Sequence, residues 1–152
     1  MGLYQLALFF HIAGAVLMFV ILTVEGFSLR LHRSAARFGQ TVGPVSAVLV
    51  LVPGLYMMAT AWGWKAWIGV GIAAWVLIAV SAAVTGAMLA FGRISPQVAA
   101  MSWATRLGMA VGVVFVMTVK PDLVPSALAV LMGAGLGAGA WVLAARQSQV
   151  AL

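Results

Sequence analysis

Long apolar runs, each about the length of a membrane helix, alternate with short polar breaks along the whole chain. The runs cover residues 3–24, 44–62, 66–91, 97–119 and 123–145. A helix that crosses a bilayer needs about 20 mostly apolar residues. Each run is therefore read as one spanning helix. The breaks carry stop signals of their own. Ser95-Pro96 reads as a helix start, with serine as N-cap and proline at the first helical position. Lys120-Pro121-Asp122 interrupts the pattern, because proline disfavours helix in the residue before it. The Gly63-Trp64-Lys65 turn is short, which predicts that the second and third helices are antiparallel neighbours. The expected fold is all-α: one polytopic transmembrane bundle of five helices over residues 1–152. The alternative has four spans, with the fifth segment peripheral. The first run lacks a basic leader and exceeds the ~7–15 apolar residues of a secretory signal, so it is read as a retained helix.

Composition agrees with this pattern. The chain is 65% hydrophobic and only 7% charged. A soluble domain carries about 25% charged residues, so this chain has too few to coat a surface facing water. The net charge of +6 is spread over segment ends and is not interleaved with aromatics. Nucleic acid is therefore excluded as a partner, and the lipid bilayer is the implied one. With five crossings, Arg30, Arg33, Arg37, Arg93, Arg106 and Arg146 fall on one side, and Lys65 and Lys120 on the other. The positive-inside rule then places the N-terminus outside and the C-terminus in the cytoplasm. The arginine-rich first loop could also bind anionic lipid, although orientation alone accounts for it. Trp62, Trp64 and Trp67 surround the outer turn and read as an interface anchor in preference to an aromatic ligand cage. There is no cysteine, which removes disulfides and thiolate chemistry.

The first helix has more pattern than hydropathy requires. Tyr4, His11, Met18 and Glu25 recur every seven residues, with Gly14 beside them. They share one helical face, which should turn toward other helices. His11 and Glu25 are separated by about 21 Å of helix and cannot form one site. An intramembrane imidazole is a functional candidate: a haem or metal ligand, or a proton relay. Its structural reading is a packed histidine bonded to a neighbour such as Tyr56 or Ser81. His32 lies across the membrane, so a bis-histidine haem within one chain is excluded. A single-histidine haem, with a methionine such as Met18 or no second ligand, stays open. So does a site shared between chains.

Arg106 starts inside the hydrocarbon. It either snorkels toward the cytoplasm or pairs with Glu25. A clamp on a substrate carboxylate or haem propionate is a third use. Pro53-Gly54 should kink the second helix at about the depth of His11, which suggests a pocket between helices one and two. The nine methionines are read as packing before copper ligation. Gly108/Gly112, Gly133/Gly137 and Gly135/Gly139 are small-xxx-small pairs that imply close helix contact, within the chain or between chains. No catalytic set is visible. The two acids, Glu25 and Asp122, are expected on opposite sides of the membrane.

Several short motifs carry a resemblance. Residues 8–17, LFFHIAGAVL, resemble the opening helix of an uncharacterised bacterial membrane family, domain of unknown function 2269. Pro53-Gly-Leu-Tyr-Met57, Lys65-Ala-Trp-Ile-Gly69 and Met117-Thr-Val-Lys-Pro121 resemble parts of its second, third and fourth helices. The chain is also distantly similar to membrane proteins of the copper-resistance D type and of the haem-binding HemJ type. By that similarity His11 takes the position of a haem ligand. The lysine expected in the third helix of the HemJ type is missing here, and Lys65 precedes that helix. Porphyrinogen oxidation is therefore not carried over. Three functions follow as expectations. The first is a small membrane component binding haem or another hydrophobic or redox ligand near His11, with Met18, Tyr56 and Arg106 as further contacts. The second is a permease for a metal or small solute. The third is an assembly subunit of a homo-oligomer or membrane complex.

Overall fold

A computed structural model of the chain describes residues 2–30 and 36–150, with side chains at 2–29 and 41–147. Five long helices make up the fold: α1 (Leu3–Arg30), α2 (Ala36–Met57), α3 (Ala66–Ala90), α4 (Pro96–Val119) and α5 (Leu123–Val150). A π-helical turn, Met58–Trp62, extends α2. All five helices are long and apolar enough to cross a bilayer. Large apolar side chains such as Phe9, Val16, Leu77, Leu131 and Leu136 point outward, while the buried residues include many small ones, such as Ala74, Ala99, Ala104 and Ala110. A water-soluble domain of this size would not expose such a surface. This is the architecture of a multi-pass membrane protein.

Several boundaries differ from the hydropathy pattern. α1 runs past residue 24 to Arg30, so Glu25 is helical and not the start of a loop. Hydropathy marks the stretch that suits hydrocarbon, whereas helical hydrogen bonding continues through the more polar residues that follow. α2 begins before Pro44, which lies inside it, and α5 continues beyond residue 145. His32 and Arg33 lie outside the described residues. The start of α4 has its cap: Ser95 Oγ accepts the Val98 N–H at 3.3 Å, with Pro96 next in the chain.

α4 is the centre of the bundle. Ala99, Ala100, Ala104, Arg106, Ala110, Gly112 and Val116 are all buried. α5, α3 and α1 pack against it, and α2 packs on α1. The α4–α5 contact is backbone against backbone. A Cβ on Gly108 would overlap the Gly133 carbonyl oxygen, and one on Gly112 would sit 2.7 Å from that of Ala129. Lipid tails are as apolar as leucine, so such close approach, and not hydrophobic exclusion, holds membrane helices together. Gly135 and Gly139 have open space beside them. α2 and α3 are not the close neighbours that their short turn suggests; they touch little. The π-helical turn and Gly63, at φ 62°, redirect the chain, and the face of α3 that holds Gly71, Ala74 and Ile78 turns to α4 instead.

Candidate functional site at His11

The heptad stripe on α1 meets a different neighbour at each step. Tyr4 Oη accepts the Trp62 indole N–H at 3.1 Å. His11 meets α2 at Val50. Met18 packs on the Leu22, Ile78 and Ala110 cluster, which joins α1, α3 and α4. Glu25 meets Arg106 on α4. A seven-residue repeat drifts by about 20° per heptad on a straight helix. That drift, with the inclination between helices, carries the stripe from α2 to α4.

His11 is half-buried, and its Nδ1 lies 2.7 Å from the Val50 carbonyl oxygen. A carbonyl can only accept, so Nδ1 carries the proton and donates. In the neutral ring Nε2 is then the bare lone pair. No described group bonds Nε2. Nor is it sealed inside: Arg106 Nε is the buried, unpartnered side-chain nitrogen among the described residues. The ring lies against Gly54, whose Cβ, if present, would stand 3.1 Å from both Cε1 and Nδ1. Gly14, one turn along α1, likewise lets α2 approach, and Ser46 Oγ donates to its carbonyl at 3.0 Å. Proline in a helix disturbs the carbonyls one turn back. For Pro53 those are the carbonyls around Leu49, beside the one His11 engages. The partner of His11 is therefore backbone, and neither Tyr56 nor Ser81. Tyr56 is two residues from Gly54, roughly 200° around α2, and so on another face. Ser81 Oγ donates within its own helix, to Leu77 and Ile78.

At the other end of the stripe, Arg106 grips Glu25 with both terminal nitrogens: Nη1 to Oε2 at 2.9 Å and Nη2 to Oε1 at 2.5 Å. Arg106 is 2% exposed and the Glu25 side chain 31%. The guanidinium therefore does not snorkel. One N–H on each terminal nitrogen goes to Glu25, so the two-pronged end of the guanidinium is occupied by this carboxylate. Trp103 closes the same contact. Its indole donates to the Leu22 carbonyl at 2.6 Å, and its ring lies where a side chain on Gly26 would go.

The structure does not gather His11, Met18, Tyr56 and Arg106 into one site. Met18 is about 10 Å along α1 from His11, and Arg106 is tied to Glu25 a further heptad away. At the turn between α2 and α3, the Lys120 ammonium stands 4.0 Å from the Trp62 ring centre and 5.9 Å from that of Trp67. The two indoles meet edge to face at 5.7 Å. The chain's own cation thus lies over the aromatic cluster. Three of these contacts had no signal in the residue pattern: the Val50 carbonyl, the Trp103–Leu22 bond and the Lys120–Trp62 contact. Among the described residues, no group of three histidine or carboxylate side chains is placed to hold a metal ion. No family model, curated protein or solved structure matches the chain.

Proposed function

We propose that this five-helix protein carries a planar hydrophobic redox ligand, haem foremost, through Nε2 of His11. One observation carries the reading: the Nδ1–H bond to the Val50 carbonyl at 2.7 Å. A histidine that binds a metal donates its other ring N–H to such a carbonyl, which fixes the tautomer and the ring orientation. Among the described residues, His11 is the side chain that would hold such a group. Met18 is about 10 Å along α1 from His11 and would not share in holding it. Haem would supply one-electron chemistry. The protein's part is to aim Nε2 and to offer an apolar, lipid-facing surface. The reading includes the orientation set by the arginines, N-terminus outside and C-terminus in the cytoplasm of a bacterial inner membrane, and kinship with the domain of unknown function 2269.

Purification from haem-replete cells in mild detergent tests it. The expected result is a Soret band that disappears in His11→Ala and survives in His32→Ala. A colourless wild-type protein would sink the reading.

A further inference from the structure

Two shallow depressions lie side by side at the arginine end, away from His11. One, of about 180 Å³, lies between α1, α4 and α5, with Gly26, Leu29 and Trp103 in its walls. The other, of about 260 Å³, runs along α4 and α5 over Val98, Met101 and Val142 and reaches Arg146. Gln97 and Trp141 line both. The antiparallel α4–α5 register sets their depths. Gly137 lies against Ala104, so Trp141 is level with Ala100 and Arg146 with Ser95, at the start of α4. The polar members, Gln97 and Arg146, therefore sit at the headgroup end. The walls below them are apolar, divided by one indole.

The geometry points to an anionic phospholipid as the occupant. Its phosphate would meet the Arg146 guanidinium and the Gln97 amide, and its two acyl chains would lie on either side of Trp141. Charge complementarity selects the anionic lipid. The chain has two acids: Glu25 is committed to Arg106, and Asp122 is at the opposite end. Among the described residues, no carboxylate side chain is left to pair with Arg146. A basic side chain at a membrane surface favours anionic lipid by about fivefold. This site is separate from His11, and its test does not depend on haem.

Native mass spectrometry of the full chain in mild detergent tests it, with phosphatidylglycerol and phosphatidylcholine of identical chains added in turn. Wild type should retain phosphatidylglycerol about fivefold more than phosphatidylcholine. Arg146→Gln should abolish that preference, while Arg93→Gln, at the same end but off both depressions, should keep it. Val142→Trp, which fills one depression without changing charge, should lower retention of both lipids. Equal retention of the two lipids by wild type overturns the proposal. So does an equal loss in Arg93→Gln and Arg146→Gln, which would mean bulk charge and no site. Unchanged retention in Val142→Trp would show that the depression does not hold the chains.

Discussion

Removing Glu25 should cost more than removing Arg106, because the two ends of their ion pair differ in burial. Arg106 is 2% exposed and makes both of its side-chain bonds to Glu25. In Glu25→Ala the guanidinium stays buried with no acceptor. Stranding one partner of a buried pair costs about 3–5 kcal/mol. In Arg106→Met the stranded group is a carboxylate that is 31% exposed and so less enclosed by protein than the guanidinium. Losing the two charge-assisted bonds then costs about 1–3 kcal/mol. The double variant Glu25→Ala/Arg106→Met leaves no charge behind and should fall within about 2 kcal/mol of wild type, since apolar replacement of a buried pair is often neutral. The assay is reversible unfolding in mixed micelles of rising dodecyl sulfate content, followed by circular dichroism. The decisive quantity is the coupling between the two substitutions. Hydrogen bonds between membrane helices couple by about 0.6 kcal/mol on average. A value near that, with Glu25→Ala no worse than Arg106→Met, would refute the view that this pair locks α1 to α4.

Other expectations follow from the same contacts. Gly108→Ala places a methyl against the Gly133 carbonyl and should destabilise by about 1–3 kcal/mol, whereas Gly135→Ala, with open space, should be neutral or gain up to about 1 kcal/mol; the same micelle titration reads both. Gly54→Ala pushes a methyl to 3.1 Å from the His11 ring and should shift any His11-dependent absorption band without removing the protein from the membrane. Lys120→Gln removes a cation 4.0 Å from Trp62 and should cost about 0.5–1 kcal/mol, with a change in tryptophan emission; unchanged emission would count against the contact.

The number of helices and the ends near Ser95 and Lys120 were legible because apolar runs and proline breaks act locally. The inward face of α1 was legible too, since a seven-residue repeat of polar side chains in lipid has to find partners. Which partner each found was not. Glu25 and Arg106 are 81 residues apart, and only the depth of both in the membrane suggested their meeting. Val50 offers a backbone carbonyl, which leaves no trace in residue type. The slight contact between α2 and α3 goes with a π-helical turn whose sequence, Met-Ala-Thr-Ala-Trp, carries no breaker. The glycines show the same limit. Their spacing announced close packing, but only the fold distinguishes Gly133 and Gly137, engaged by α4, from Gly135 and Gly139, which are not.

The central claim is that His11 presents a bare Nε2 because Val50 holds its Nδ1 proton. Nitrogen-15 spectroscopy of histidine-labelled protein in lipid, at a pH where the ring is neutral and with His32 replaced by glutamine, observes that proton directly. The account predicts a protonated Nδ1 and an unprotonated Nε2, with the Nε2 signal shifting when haem is added. A ring that carries its proton on Nε2, or an Nε2 signal that ignores haem, would contradict it.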